Sequence, residues 1–324
     1  MNNVAITIDE KQCKLKALFA KDKTIAYREY SFNPDYIKDT VDYAKIFLQT
    51  LNELIFQDRI YPASLVYVLP DNYAASDYVE IPSFTGKKLN ETLNLEISTR
   101  YKQIEQYKTA FVPIGAQDTK SAFFAFMIAK KSINDILSAL KPYKFSSKNI
   151  TFESAMIANS FLLHRASPQH DAALLADIKK TETKLVLIND FNLAGFSSLS
   201  YGEDFLELKQ KLTTPPAILP IEQFYTQNAT AIELAQKAEG DNEGNIKYLL
   251  RTLLEMCDTF AACYHIDNIA LRYNAPKAYA HLFEGQIAKE YNIEKINVNN
   301  PLLAEHLELY GALAPKLYNK GLLF

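Results

Sequence analysis

The chain has 324 residues, 48% of them hydrophobic, and a formal net charge of −3 at pH 7. This length exceeds what one hydrophobic core usually serves, so two domains are expected. The slightly acidic balance gives no electrostatic reason to expect a nucleic-acid partner. Only nine glycines are present, against a usual share of about 7%, and this scarcity disfavours sites that need glycine loops.

Three cysteines and five histidines indicate neither a disulfide framework nor a metal site. The cysteines lack metal-ligand spacing, and no two histidines lie three or four residues apart, so no metal is expected. The longest apolar run, Ala122–Ala129, is far shorter than the roughly 20 residues of a membrane-spanning helix. No signal peptide is apparent, and we expect a soluble cytoplasmic protein without a membrane span.

The first half opens with alternating apolar and polar residues, which are typical of half-buried antiparallel strands. A hairpin is predicted over Val4–Leu15 and a further strand over Thr24–Phe32. Apolar residues at helical spacing predict a helix over Tyr36–Phe56. Ser64–Leu69 then forms a short buried strand that is closed by Pro70.

A compact α/β unit is predicted over about residues 70–143, because short strands and helices alternate there. Its expected elements are strand Val79–Ile81, helix Lys87–Arg100, strand Gln106–Pro113, strand Ser121–Ala129 and helix Ser132–Leu140. Strand Asn149–Phe152 and helix Ser154–Leu163 follow this unit.

The second half is predicted to start after a polar linker at Ser167–Asp171. Its expected elements are a hairpin of Ala173–Ile178 and Thr183–Asn189, strand Leu193–Tyr201, a polar helix from Glu203, a long helix Ile246–His265, strand Ile266–Leu271, helix Ala275–Tyr291, strand Ile293–Val298 and a last helix Leu302–Tyr318.

Two stretches of the chain, Val4–Leu15 and Leu174–Leu185, align at a constant offset of 170 residues, which places Ile8 on Ile178. Each stretch has the pattern of strand, polar turn and strand. The sequence therefore predicts two related halves, each of which begins with a β-hairpin.

Several segments match, in order and spacing, a known group of proteins. They are Val68-Leu69-Pro70, Val79-Glu80-Ile81-Pro82, Phe126-Met127-Ile128-Ala129-Lys130 and Tyr310-Gly311-Ala312-Leu313-Ala314. With the duplicated layout, they make the chain resemble the PilM and FtsA group of bacterial actin-like proteins, and PilM above all. This resemblance implies the α/β actin-like ATPase (ribonuclease H-like) fold, with two duplicated lobes and a small α/β subdomain inserted into the first lobe.

The resemblance also implies domain boundaries. The first lobe would span residues 1–166 and include the inserted subdomain at about 70–143. The second lobe would span 167–300, and a C-terminal helix within 301–324 would return to the first lobe.

In the family, three loops hold a nucleotide, and two of them carry the sequence Asp-Ile-Gly. At the first hairpin of this chain, Thr7 takes the place of the aspartate, Asp9 takes the place of the glycine, and only Lys14 matches. Glycine is needed there so that backbone N–H groups can approach a phosphate, and a carboxylate at the same position repels one.

The second hairpin keeps more of the family pattern. Asp177 and Thr183 match, whereas Lys179 replaces the glycine. The third loop, Arg272–Pro276, contains no glycine, and Glu255 loosely matches a ribose-binding glutamate of the family. Lys14, Asp177, Thr183 and Glu255 are thus the expected remnant of a nucleotide cleft. The alternatives are a solvated Lys14 and an Asp177 that only accepts hydrogen bonds, and Lys179 is a candidate ion-pair partner of Asp9.

These losses indicate a scaffold that binds ATP and Mg²⁺ weakly or not at all, so no cofactor is expected. PilM-like proteins belong to the inner-membrane assembly platform of type IV pili, and they capture the short cytoplasmic tail of a single-span, PilN-like membrane protein. The resemblance therefore implies a non-catalytic scaffold held at the inner membrane by that partner. Self-association stays open.

The expected peptide groove is lined by four aromatic residues of the inserted subdomain, Tyr107, Phe111, Phe124 and Phe126. The alternative is that these residues pack in the core. An extended peptide would gain backbone hydrogen bonds from a sheet edge there. The alternative function is an active actin-fold ATPase or phosphotransferase with atypical phosphate loops. A cytoplasmic domain that continues into a membrane span is disfavoured, because no apolar segment follows Leu313.

Overall fold

The computed structural model describes residues 3–21, 24–58, 64–117, 119–164, 172–179, 182–189, 191–199, 242–264, 266, 269–274, 294–296, 298, 300–313 and 322–323. The chain divides into two compact units. The first comprises Met1–Ser167, Phe191–Gly195 and His306–Phe324, and the second comprises Pro168–Asp190 and Phe196–Glu305.

The first half of the chain alternates strands with helices and short 3-10 turns. In chain order, its described elements are β1 (Asn3–Asp9), β2 (Lys14–Lys21), β3 (Thr24–Ser31), a 3-10 turn (Pro34–Ile37), α1 (Tyr43–Asp58), β4 (Ser64–Leu69), a 3-10 turn (Asp71–Tyr73), β5 (Ala74–Pro82), α2 (Gly86–Arg100), a 3-10 turn (Ile104–Gln106), β6 (Tyr107–Gln117), β7 (Lys120–Ala129), α3 (Lys130–Ala139), β8 (Ser147–Phe152) and α4 (Glu153–His164).

The main sheet of the first unit has the strand order β3-β2-β1-β4-β8. β1 pairs antiparallel with β2 and parallel with β4, and β4 pairs parallel with β8. Val4, Ile6 and Ile8 of β1 are buried, as are the residues that alternate with them. Burial of β1 and β4 on both faces explains their apolar sequences, which is characteristic of central strands in layered α/β folds.

The inserted subdomain is a three-stranded antiparallel sheet of order β5-β7-β6. α2 covers one face of this sheet, where Leu93 and Ile97 pack against Val79, Phe123 and Met127. The subdomain therefore has a small hydrophobic core of its own.

The second half contains β9 (Ala173–Ile178), β10 (Thr183–Asn189), β11 (Asn192–Leu199), α5 (Asn242–Tyr264), β12 (Ala270–Asn274), β13 (Glu294–Lys295), α6 (Pro301–Glu305) and α7 (Leu307–Leu313). Its sheet has the order β11-β10-β9-β12-β13. An antiparallel hairpin is followed by parallel strands, as in the first sheet. The predicted duplication of an α/β lobe, with an insertion in the first copy, is confirmed.

The first long helix begins later than predicted, at Tyr43 instead of Tyr36. The Asp42 carboxylate accepts a hydrogen bond from the backbone N–H of Lys45 at 3.1 Å, which is the geometry of a helix N-cap. The preceding Pro34–Ile37 segment forms a separate 3-10 turn. Apolar residues continue at helical spacing across both elements, so the sequence predicted a single helix. The N-cap at Asp42 determines where the α-helix starts.

The predicted last helix, Leu302–Tyr318, is divided at His306 into α6 and α7. Its final part, residues 314–318, lies outside the described residues, as do the predicted helices from Glu203 and over Ala275–Tyr291. β5 is longer than the predicted strand Val79–Ile81, because it pairs with β7 over its whole length. Among the described helices, none is long and apolar enough to cross a membrane.

Candidate functional site

The turn after β1 is held by the side chain of Asp9. Its Oδ1 accepts a hydrogen bond from the backbone N–H of Gln12 at 3.0 Å. Its Oδ2 forms an ion pair with Lys16 Nζ at 2.6 Å. The carboxylate thus occupies a backbone donor of the turn.

Lys14, the one matching residue of this hairpin, takes part in a second ion pair. Its Nζ lies 2.5 Å from Glu29 Oε2, and Tyr27 donates its hydroxyl to Glu29 Oε1 at 2.6 Å. Burial alone would raise the pKa of Glu29, but hydrogen bonds from Lys14 and Tyr27 outweigh it and hold this pKa below its usual value. Burial and the neighbouring Glu29 raise the pKa of Tyr27. The cation of Lys14 is therefore paired within its own sheet.

Asp177 ends β9 in the second hairpin, and its side chain is fully buried. Asn274 Nδ2 donates to Asp177 Oδ1 at 2.6 Å, and Lys179 Nζ lies 3.1 Å from Asp177 Oδ2. Asn274 stands opposite Asp177 in the parallel pairing of β12 with β9. One carboxylate oxygen thus accepts a hydrogen bond from Asn274, and the other is in ion-pair contact with Lys179.

Lys179 is fixed at both its backbone and its side chain. Its backbone N–H bonds to Glu182 O at 2.8 Å and closes the turn between β9 and β10. Its ammonium group also donates to Glu305 O at 3.0 Å. Lys179 therefore places a positive charge beside the buried Asp177 carboxylate.

Thr183 and Glu255, the other two predicted nucleotide residues, differ in burial. Thr183 is buried at the start of β10 and pairs with Ile178. Glu255 is exposed on α5, and its backbone carbonyl accepts the hydroxyl of Thr259 at 2.7 Å. Asp177 and Thr183 are thus close on one hairpin of the second unit.

The four predicted partner residues lie on opposite faces of the inserted sheet. Tyr107 and Phe111 pair with Ala129 and Ala125 of β7, so they share the face that α2 covers. Tyr107 is 40% exposed, and Phe111 is partly buried against the core of the subdomain.

Phe124 and Phe126 belong to the other face, and each is no more than 2% exposed. The Phe126 ring lies 5.5 Å from the ring of Phe152 at the end of β8, and the Phe124 ring lies 5.8 Å from that of Tyr78. These two phenylalanines are packed in the interior, which corresponds to the core-packing alternative of the sequence analysis.

Two residues that hold Asp177 were not assigned this role from the sequence. From the sequence, Lys179 was identified as the replacement of a family glycine and as a candidate partner of Asp9, and Asn274 only as part of a loop without glycine. The signal for both was the comparison with the family pattern. Their pairing with Asp177 depends on strand register, which a single sequence does not specify.

The fold can be compared with solved structures. A chain of a PilM–PilN type IV pilus biogenesis complex superposes with a TM-score of 0.59 at 16% identity, covering 99% of this chain and 98% of that one. The chain has the actin-like ATPase fold. The prediction of a PilM-like fold is thereby confirmed.

Two further similarities are weaker. The cytoplasmic domain of EpsL, an inner-membrane component of the type II secretion system of Vibrio cholerae, gives a TM-score of 0.41 at 11% identity, over 67% of this chain and 79% of that domain. A protein of unknown function with an actin-like ATPase fold from Bacteroides thetaiotaomicron gives 0.44 at 9% identity, over 97% and 96%. No family model and no curated protein matches the chain.

Proposed function

We propose that this chain is a non-catalytic scaffold of a type IV pilus or related secretion assembly platform, which captures the cytoplasmic tail of a single-span, PilN-like membrane protein. The observation that carries the proposal is the engagement of Asp177 by Lys179 and Asn274. The PilM-like fold supports the choice of machine. Capture of the tail would hold the protein at the inner membrane.

The second hairpin lacks the free carboxylate that a Mg²⁺–nucleotide complex requires. A hydrated Mg²⁺ ion beside Asp177 would stand within a few ångströms of the Lys179 ammonium group, and like charges repel strongly where burial lowers the dielectric constant. Displacing Lys179 would break its ion pair and its bond to Glu305 O. Each hydrogen bond to a charged group contributes about 1.5–3 kcal/mol, so opening this site is unfavourable.

The first hairpin disfavours the binding of a phosphate because its turn already carries a negative charge. The Asp9 carboxylate already accepts the Gln12 N–H, so the turn contains an internal anion. Lys14 and Lys16, the nearby cations, are paired with Glu29 and Asp9. A triphosphate would have to compete with both pairs and with the negative charge of Asp9.

A thermal-shift titration with Mg-ATP tests this part of the proposal. We expect no saturable rise in melting temperature up to millimolar ATP. Saturating ATP at 100 times its Kd would stabilise the fold by about 2.7 kcal/mol and raise the melting temperature by about 5–10 °C. The Asp177→Asn variant is the matched control, and a wild-type shift that this variant abolishes would establish the ATPase or phosphotransferase alternative.

The tail-binding site is proposed at the outer edge of β6. In the described part of the inserted sheet, β6 pairs with β7 alone, so its outer backbone groups face away from the sheet. The pairing shifts register at Pro113, so the regular part of the edge is Tyr107–Val112. An extended tail could add a strand there, with the Tyr107 and Phe111 side chains contacting alternate residues of the tail.

Calorimetry with a synthetic peptide of the tail tests the edge site. The probe is the cytoplasmic N-terminal segment of a PilN-like, single-span membrane protein from the same organism. Tyr107→Ala is expected to weaken binding about fivefold or more, which corresponds to a loss of about 1 kcal/mol, because tyrosine is enriched among the residues that dominate binding energy. Phe56→Ala, which removes a 71% exposed ring from α1, is the control. Equal affinities of wild type and Tyr107→Ala would rule out this edge.

A further inference from the structure

The loop between α3 and β8, taken together with the first two residues of β8, has a distinctive composition. It reads Lys-Pro-Tyr-Lys-Phe-Ser-Ser-Lys from Lys141 to Lys148, with three lysines, two aromatic residues and no acidic residue. The chain as a whole has a net charge of −3. These eight residues therefore carry a net charge of +3 in a chain whose overall net charge is negative.

These lysines are available to a partner. Lys141 and Lys144 are exposed, and Lys148 is half-buried. None of the three forms an ion pair within the described part of the chain, in contrast to exposed Lys38 and Lys87, which are paired with nearby carboxylates. Their charge is not neutralised locally, so they produce a positive potential at this surface.

The two aromatic residues of the loop are positioned between these lysines. The rings of Tyr143 and Phe145 stack with a centroid separation of 6.2 Å and an interplanar angle of 29°. Both side chains are half-buried. Half-buried aromatic rings flanked by lysines suit the interfacial zone of a bilayer. In that zone, apolar acyl chains and charged headgroups lie within a few ångströms of each other.

The loop lies away from the first hairpin and from the β6 edge. β8 starts at Ser147, which pairs with Ser64 at the start of β4, whereas Asp9 and Pro70 lie at the opposite ends of β1 and β4. α3, whose ten residues span about 15 Å, separates the loop from the beginning of the β6 edge. A ligand of the loop would therefore leave the first hairpin and the β6 edge unobstructed.

We propose that the Lys141–Lys148 loop binds directly to an anionic phospholipid bilayer. Lysine ammonium groups would contact lipid phosphates, while Tyr143 and Phe145 would enter the headgroup region. The inference goes beyond tail capture and does not depend on it, because the two surfaces are on different elements. An acidic protein segment is the competing occupant, but it does not account for the paired rings, which suit a surface with an apolar layer beneath its charges.

Vesicle co-sedimentation of the full chain tests the proposal. We expect binding to vesicles that contain phosphatidylglycerol, no binding to pure phosphatidylcholine vesicles, and release at high salt. Each lysine near an anionic surface changes affinity about fivefold, so K141Q/K144Q/K148Q is expected to weaken binding by about a hundredfold. The control K38Q/K45Q/K87Q has the same change in net charge at other exposed positions and is expected to bind as wild type does.

A single tryptophan provides a second readout, because the natural chain has none. Phe145→Trp should show a blue-shifted emission with phosphatidylglycerol vesicles, whereas Phe56→Trp on α1 should not. Circular dichroism checks that each variant is folded. Full binding by the folded triple lysine variant, equal binding to both vesicle types, or binding of soluble poly-glutamate without binding of vesicles would each overturn the proposal.

Discussion

Gly311 illustrates how one residue fixes a helix contact. A Cβ atom at this position would lie 1.9 Å from the Met156 carbonyl oxygen of α4. The same contact is held by hydrogen bonds from Asn159 Nδ2 to Gly311 O, at 2.7 Å, and from Ser160 Oγ to Leu307 O. Glycine inside a helix is normally unfavourable, and close backbone packing of α7 on α4 explains why it is present here.

Gly311→Ala is therefore predicted to destabilise the fold. Overpacking of a tight contact commonly costs about 1–3 kcal/mol, and backbone atoms cannot move aside as a flexible side chain can. Urea unfolding should show a lower midpoint. Gly195→Ala is the matched control, because its Cβ would lie 3.6 Å from the Phe124 ring, an ordinary contact distance. Unchanged stability of Gly311→Ala would mean that α7 does not pack on α4 in this way.

Some features of single residues could be predicted from the sequence, whereas their contacts could not. The replacement of glycine by Asp9 and Lys179 could be predicted from the family pattern, and so could the unfavourable charge of Asp9. The ion-pair partner of Asp9 and the hydrogen-bond donor to Asp177 could not, because Lys16 and Asn274 are brought to them by strand pairing. The unequal burial of Tyr107 and Phe124 likewise depends on which face of β6 and β7 meets the rest of the first unit.

The connection into the inserted subdomain is fixed by a few hydrogen bonds between elements. Asp71, in the 3-10 turn after β4, accepts the backbone N–H of Ser154 at 2.9 Å and its hydroxyl at 2.8 Å, at the start of α4. Tyr73 donates its hydroxyl to Glu10 Oε1 at 2.6 Å, and burial together with Glu10 raises the pKa of this tyrosine. The turn thus joins the subdomain both to α4 and to the turn of the first hairpin.

Asp71→Ala is expected to loosen the start of α4. Loss of a helix-capping carboxylate costs about 0.5–2 kcal/mol, and the buried Ser154 hydroxyl would lose an acceptor. Hydrogen–deuterium exchange should rise in the first turn of α4, with a lower unfolding midpoint. Asp35→Ala, which removes an exposed i,i+3 partner of Lys38, is the control, and the same exchange pattern in both variants would contradict this role for Asp71.

Element boundaries show which parts of the fold were accessible from sequence. The hairpins, α2 and β7 were placed within a few residues, because alternation and helical spacing are local signals, whereas β5 and β6 were predicted too short. α1 was extended too far because the Asp42 cap was not recognised, and the break at His306 had no proline or glycine to mark it. Local pattern thus identified the elements better than it identified their ends.

At the scale of the whole molecule, two sheets with the same strand arrangement support one account of the chain. The turn after β1 carries the charge of Asp9, and the turn after β9 carries that of Lys179. Under the proposed function, the fold supports the binding of a partner protein and does not hydrolyse nucleotide. Tail capture should then be independent of nucleotide.

The most direct test is calorimetric titration of the full chain with the partner's tail peptide, once with EDTA and once with saturating Mg-ATP. The account predicts the same Kd in both titrations, within about twofold, because neither hairpin changes on addition of nucleotide. A coupling of 1–3 kcal/mol, which is typical of allosteric proteins, would instead change the affinity by about 5–150-fold. Tail binding that appears only with Mg-ATP would contradict the central claim and show that the hairpins still form a working nucleotide site.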